Sequence, residues 1–141
     1  MADSSTILAL DVGGTRVGVA VASPDVKIAR PLTTLQRKAE DFWRQLQALV
    51  DQHGAQIVVI GLPRGLDGQE TQQTEETRVF ATEFNRQLPE VSCVWQDEAV
   101  TSVRAKEALD QRGIAFDKSQ VDAVAASLIL QDYITDQEMV R

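Results

Sequence analysis

Three acidic positions in this chain, Asp11, the pair Asp97-Glu98 and Asp122, are candidates for chemistry. Asp11 follows an apolar run, residues 7–10, that predicts a strand buried on both faces. A carboxylate in such a place costs several kcal/mol unless it is paired or binds a cation. The alternative is that Asp11 caps the glycine turn that follows it, as Asp does in many turns.

Glu98 and its neighbour Asp97 directly follow a predicted strand, and Asp122 lies in the first turn of the last predicted helix. Ala125 and Ala126 share a helical stripe with Asp122, so this side of the helix has room to approach the sheet closely. An acid is rare on such a stripe unless it is paired. The alternative for these positions is a favourable interaction with a helix dipole, which acids near a helix N-terminus make.

Taken together, the three carboxylates point to a divalent metal site. Mg²⁺ and Mn²⁺ prefer carboxylate oxygens, and converging carboxylates would repel one another without a cation. Such ions can activate water and stabilise the leaving oxygen in phosphodiester cleavage. We therefore predict that Asp11, the Asp97-Glu98 pair and Asp122 supply catalytic carboxylates that hold Mg²⁺ or Mn²⁺. The chain has one His and one Cys, which excludes zinc clusters built from several such residues.

The elements that must position these residues follow from the spacing of apolar side chains. Three strands joined by short turns predict an antiparallel meander, and strands joined through helices should be parallel neighbours. The expected fold is therefore α/β and ribonuclease-H-like, with a mixed five-stranded sheet flanked by helices, in a single domain over residues 1–141 whose core covers about 6–135. The predicted strands are 6–12, 17–23, 27–35, 56–60 and 91–95, and the predicted helices are 39–52, 73–88, 101–112 and a last helix that begins at 117–119.

Composition limits the class of protein. No run of 18 apolar residues is present, so no membrane partner is expected. The single cysteine and the acidic N-terminus favour a reducing, cytoplasmic location over secretion. The formal net charge of −7 counts against nucleic-acid binding, because attraction to phosphate grows with the number of Lys and Arg contacts.

The chain resembles the Holliday junction resolvase-like family (YqgF-like, RuvX-type), which is also regarded as a family of pre-16S ribosomal RNA nucleases. Four blocks carry the resemblance, and they occur in the family's order from residue 7 to about residue 134. They are Asp11-Val12-Gly13-Gly14-Thr15-Arg16-Val17-Gly18-Val19-Ala20, then Gly61-Leu62-Pro63 with Leu66-Asp67-Gly68, then Asp97-Glu98 with Val100-Thr101-Ser102, and finally the segment from Asp122 to Gln131.

The resemblance implies a cytoplasmic, divalent-metal nuclease whose acidic positions fall on Asp11, Glu98 and Asp122. It implies trimming of the 5′ side of precursor 16S rRNA, a structured RNA. The alternative within the family is Holliday junction resolution, for which the substrate is branched DNA. Cutting both strands of a symmetric junction would call for a twofold homodimer, whereas RNA trimming would not.

Two arginines and two glycines are candidates for contact with the nucleic acid. We predict that Arg16, after the glycine turn, and Arg64, after a proline, contact the nucleic-acid backbone. The alternative is that both arginines are ordinary surface residues that contact only water. Gly65 and Gly68 lie in a loop that we expect to face the substrate, where backbone N–H groups could approach phosphates. Ordinary turn glycines are the alternative for both.

The chain departs from the family pattern at two positions. Ala99 stands where an arginine is usual, and Gly65 stands where asparagine is common. Loss of a cation beside the site should weaken phosphate binding by roughly 1–3 kcal/mol if that contact is made. Substrate affinity is affected by this departure more than metal binding is.

Two other classes of function compete with the nuclease. The Asp-x-Gly-Gly-Thr motif also opens the phosphate site of actin-like sugar kinases, but 141 residues leave no room for the second domain of those enzymes. A non-catalytic nucleic-acid or protein-binding module is favoured by the acidic charge and by Ala99. The presence of all three carboxylates argues against that module.

Overall fold

The computed structural model describes residues 6–23, 25, 27–99 and 118–139, so the predicted helix at 101–112 lies outside the described residues. Five strands and three helices are present in these residues. In chain order they are β1 (Thr6–Val12), β2 (Arg16–Ala22), β3 (Arg30–Gln36), α1 (Phe42–His53), β4 (Ala55–Arg64), α2 (Gln72–Gln87), β5 (Ser92–Ala99) and α3 (Lys118–Met139).

The strands form one mixed sheet in the order β3-β2-β1-β4-β5. The first three strands pair antiparallel, as the short turns between them predict. β1 pairs parallel with β4, and β4 pairs parallel with β5. The helix α2 connects β4 to β5 and lets the chain return in the same direction, as parallel pairing requires. The predicted fold class is therefore confirmed. Pro31 lies on β3, at the edge of the sheet, as expected for a residue that cannot donate to a ladder.

The two faces of the sheet are covered by different helices. Alternate residues of β1 point to opposite faces, so Leu8 and Leu10 pack against α1 and α2, while Ala9 packs against α3. On the first face, Trp43 stacks on Phe80 with ring centroids 5.2 Å apart, so the aromatic side chains of α1 and α2 pack into the core. Small residues on the second face allow α3 to lie close to the sheet.

Local signals in the sequence set the ends of the first two helices. α1 ends at Gly54, whose φ of 63° is the left-handed conformation typical of a helix C-terminus. α2 begins after Thr71, which forms a capping box with Thr74. Both ends agree with the predicted boundaries to within one or two residues.

Two strands run further than the apolar pattern predicts. β4 continues to Arg64 and β5 continues to Ala99, because parallel pairing persists beyond the apolar segment, with Pro63 opposite Glu98. Asp97 and Glu98 are therefore strand residues, and the prediction that they follow the strand is wrong. The extension fixes the positions of both acids at the end of β5.

Candidate active site

Asp11 is positioned by the pairing of β1 with β2. It lies opposite Gly18 in the antiparallel ladder, and alternation places its side chain on the face that α3 covers. A Cβ atom at Gly18 would collide with the carbonyl oxygen of Asp122. The absence of a side chain at Gly18 therefore lets the backbone of α3 rest on β2 directly beside Asp11. The stripe of small residues on β2, which predicts close packing on this face, is confirmed.

Asp122 is the fifth residue of α3, and the first turn of that helix holds no acid. The prediction that Asp122 lies in the first turn is therefore wrong, because α3 begins at Lys118. An interaction with the helix dipole, which falls off within the first turn, explains this carboxylate less well. Two neighbours define its environment instead: the Arg16 guanidinium, with which it forms an ion pair, and the Asp11 carboxylate.

The surroundings of Asp11 disfavour the charged form of its carboxyl group. Burial, together with repulsion from the Asp122 carboxylate, raises the pKa of Asp11 from its ordinary value of 3.8 to about 6. A half-buried pair of like charges is the situation that a bound cation relieves. Mg²⁺ is often held by only one or two carboxylates and keeps several waters, so this pair fits such an ion.

Arg16 contributes a protein cation to the same site. It lies on β2, two residues before Gly18 and therefore on the same face. Its Nε donates a hydrogen bond to Oδ2 of Asp122 in an ion pair that joins two half-buried side chains. The two residues are 106 positions apart in the chain. No local pattern signals this contact, and it was not predicted. The predicted contact of Arg16 with the nucleic-acid backbone stays a prediction.

Glu98 is buried on the same face of the sheet but further from Asp11. It shares its side of β5 with Val94, which packs against α3. β4 lies between β1 and β5, and Glu98 stands two residues further along the strands than Asp11. These offsets separate the two Cα atoms by about 12 Å, from a strand spacing of ~4.8 Å and a rise of ~3.3 Å per residue.

The structure therefore brings Asp11 and Asp122 together and places Glu98 at the far side of the same face. Within the ranges described, no three His, Cys, Asp or Glu side chains are close enough to hold one metal ion. A three-carboxylate site requires Glu98 to approach from the β5 edge. The assignment of all three residues to one metal site stays a prediction.

Arg64 ends β4 and points toward the other face, where α2 lies. Its guanidinium is 3.4 Å from Glu70 and 3.5 Å from Asp97. A groove of about 500 Å³ joins this region to the end of β5. It is lined by Arg64, Gly65, Leu66, Gly68, Asp97 and Glu98. One wall of the groove therefore carries a predicted catalytic acid, and the other carries a predicted nucleic-acid contact.

The loop after Arg64 is closed by its own backbone hydrogen bonds. The N–H of Gly65 donates to the carbonyl of Gln69 over 2.8 Å, and the N–H of Gly68 donates to the carbonyl of Gly65 over 2.9 Å. Gly68 has a φ of 81°, which a residue with a side chain rarely adopts. Both glycines thus serve the turn, and their N–H groups are engaged within it. That the loop faces the substrate stays a prediction.

Comparison with known proteins supports the same fold and a specific family. T. thermophilus RuvC, solved in complex with a Holliday junction substrate, matches with a TM-score of 0.55 and 15% identity, over 95% of this chain and 96% of that one. The family model RuvX, described as Holliday junction resolvase, matches residues 5–136. The chain belongs to the RuvX family.

Individual RuvX relatives agree with this assignment over nearly their full length. A Chloroflexus aurantiacus protein named "Putative pre-16S rRNA nuclease" is 43% identical over 133 residues, which cover 91% of this chain and 85% of the relative. A Fusobacterium nucleatum protein of the same name is 32% identical, over 90% of this chain and 94% of the relative. Within the described residues, no helix combines the length and hydrophobicity that a membrane-spanning segment requires.

Proposed function

We propose that this RuvX-family chain is a divalent-metal-dependent nuclease that hydrolyses phosphodiester bonds at the 5′ side of precursor 16S rRNA. The observation that carries the proposal is the convergence of Asp11 and Asp122 where α3 rests on Gly18. A pair of carboxylates with one raised pKa, on a ribonuclease-H-like fold, suits cation binding better than it suits a purely structural role. The names of the relatives support the choice of RNA substrate.

In this proposal Asp11, Asp122 and Glu98 hold Mg²⁺ or Mn²⁺ and are the catalytic residues. An ion held by these carboxylates would supply the chemistry of water activation and of stabilising charge on the leaving oxygen. Asp11 must lose its proton to serve as a ligand. Arg16 forms an ion pair with the Asp122 carboxylate, so it balances this charge and would compete with a cation for the same oxygen. Glu98 is already buried and oriented toward the α3 face, so it can close the site from the β5 side.

Arg16 and Arg64 are the proposed contacts to the nucleic-acid backbone, and the Gly65–Gly68 turn presents the Arg64 side of the groove to the substrate. Arg16 is paired with Asp122, and Arg64 lines the groove that contains Glu98, so each guanidinium lies beside a proposed catalytic acid, where a backbone phosphate could reach it. We place this activity in the cytoplasm and in one domain that residues 1–141 form. Resolution of a branched DNA junction, in contrast, would require a twofold homodimer.

The test is cleavage of a labelled precursor 16S rRNA 5′ leader and of a four-way DNA junction, each with Mg²⁺, with Mn²⁺ and with EDTA. Asp11→Asn is compared with Asp51→Asn, which removes the same charge from the exposed surface of α1. We expect metal-dependent cutting of the leader by the wild type and by Asp51→Asn, and at least a 100-fold loss in Asp11→Asn, of the size seen when one catalytic group is removed.

The other outcomes separate the alternatives. Preferential cutting of the junction would establish junction resolution in place of rRNA trimming. Failure of the folded protein to cut either substrate with metal present would overturn the nuclease proposal and favour a non-catalytic binding module. Wild-type activity in both Asp11→Asn and Asp51→Asn would show that the catalytic site lies elsewhere.

A further inference from the structure

A cluster of charged and aromatic side chains lies on the α2 side of the sheet, outside the carboxylate site. We call it the Glu70 cluster, and it consists of Arg64, Glu70, Arg78 and Trp95. Oε2 of Glu70 accepts a hydrogen bond from Nη2 of Arg78 over 2.8 Å and another from Nη1 of Arg64 over 3.4 Å. One carboxylate oxygen is thus held between two guanidinium groups. This is the geometry in which arginines bind a phosphate oxygen.

The ion pairs of the Glu70 cluster are weakly held. Glu70 is half-exposed and Arg78 is 38% exposed, and pairs of this kind contribute little because water competes for both charges. In the part of the chain that the structure describes, Nε of Arg64 is buried and has no hydrogen-bond partner. A phosphate, with more acceptor oxygens than one carboxylate, could therefore replace Glu70 at low cost.

Trp95 gives the cluster an aromatic surface. Its side chain is 39% exposed, and the guanidinium of Arg78 lies 5.8 Å from the centre of its ring. Trp43, the other tryptophan, instead stacks on Phe80 in the core. An exposed indole beside an arginine is a common platform for an unpaired base, because every base can stack on it.

The cluster is continuous with the candidate active site. Trp95 faces the α2 side of the sheet, and Glu98, three residues further along β5, faces the α3 side. The groove that Arg64 and Glu98 line connects the two sides at the ends of β4 and β5, where about 10 Å of strand separates Trp95 from Glu98. A strand that stacks a base on Trp95 could therefore pass along the groove to the carboxylates.

We propose that Arg64, Arg78 and Trp95 form a binding subsite for one unpaired nucleotide of the substrate strand, in which Glu70 occupies the place of the phosphate until the strand displaces it. The subsite rests on the proposed function for its substrate. Its binding can be measured without metal and without cleavage.

The first test uses the two tryptophans. In Trp43→Phe, Trp95 is the only indole, and its fluorescence is followed during titration with a short oligouridylate in EDTA at low salt. We expect saturable quenching. No quenching should occur in Trp95→Phe, which retains only Trp43, a partly buried side chain that stacks on Phe80. Absence of quenching in Trp43→Phe, although the labelled oligonucleotide binds by anisotropy, would overturn the proposal.

The second test measures affinity by anisotropy of the labelled oligouridylate. Trp95→Ala should bind about 10-fold more weakly, as loss of one stacked base predicts. Glu70→Gln should bind several-fold more tightly, because the competing carboxylate is gone. Glu76→Gln removes the same charge from an exposed position on α2 and should change affinity less. Equal effects of Glu70→Gln and Glu76→Gln would refute the exchange of Glu70 for phosphate.

These assays distinguish the two proposals. Quenching together with an inactive enzyme would keep the subsite and refute the nuclease. Normal cleavage with unchanged binding in Trp95→Ala would refute the subsite and leave the nuclease intact.

Discussion

Replacement of Gly18 by alanine should disrupt the contact that brings Asp11 and Asp122 together. The new Cβ would occupy the position of the Asp122 carbonyl oxygen, and the nitrogen of Ala123 would be 2.9 Å away. These are backbone atoms of a helix, so no side-chain rotation can relieve the collision. α3 must therefore move away from β2.

The cost of this movement can be estimated from overpacking in protein cores, which destabilises by about 1–3 kcal/mol. Because the opposing atoms are backbone, we expect a value near the upper end, about 3 kcal/mol. With a urea m value of ~2 kcal/mol per molar, the unfolding midpoint should fall by about 1.5 M. Separation of Asp122 from Asp11 should also bring the pKa of Asp11 back toward its ordinary value, because one cause of its elevation is removed.

Gly14→Ala is the matched control. Gly14 does not have a positive φ, and a Cβ at this position meets no atom within 4 Å. Urea unfolding followed by circular dichroism should give Gly14→Ala a midpoint close to that of the wild type. If Gly18→Ala unfolds at the wild-type midpoint, the close packing of α3 on β2 is incorrect, and so is the argument that this packing positions Asp122.

Three further predictions concern the charges and the thiol. The pKa of Asp11 is raised on folding, so ionisation of this carboxyl destabilises the folded protein as pH rises from about 4 to 6. Asp11→Asn should therefore be more stable than the wild type at pH 7 in EDTA, by up to about 3 kcal/mol, and equally stable below pH 4. Urea unfolding across this range would contradict us if the difference did not depend on pH. Arg16→Ala removes the guanidinium that is paired with Asp122, so a cation no longer competes with it for this carboxylate. Calorimetry should therefore show several-fold tighter Mn²⁺ binding, and weaker binding would contradict this competition. Burial raises the pKa of the Cys93 thiol to about 11. A disulfide reagent at pH 8 should therefore react with this thiol much more slowly in native than in urea-unfolded protein. Equal rates would contradict the burial of Cys93.

Much of the fold follows from local pattern. Strand 6–12, the meander and the two helices after it are predictable because each has a clear apolar period and a glycine, threonine or proline at its ends. The ends of β4 and β5 are not predictable in this way. Glu98 and Pro63 are poor strand residues by type, and they extend the sheet because each pairs with the other.

The site was partly predictable for a similar reason. Asp11 stands out because a carboxylate interrupts a buried strand, and Gly18 signals close approach because it lies in a stripe of small residues. No pattern in the sequence indicates the ion pairs that Arg16 and Glu70 form. The contact of Arg16 with Asp122 joins residues 106 positions apart, and that of Glu70 with Arg64 and Arg78 depends on how α2 packs against β4.

The central claim is that Asp11 and Asp122 bind the divalent cation that phosphodiester hydrolysis requires. The most direct measurement is single-turnover cleavage of the precursor 16S rRNA leader while Mn²⁺ is titrated, with the wild type, Asp11→Asn and Asp51→Asn. We predict saturable activation by Mn²⁺ in the wild type and in Asp51→Asn, and no activation in Asp11→Asn over the same range. Activation of Asp11→Asn at wild-type Mn²⁺ concentrations would contradict the account.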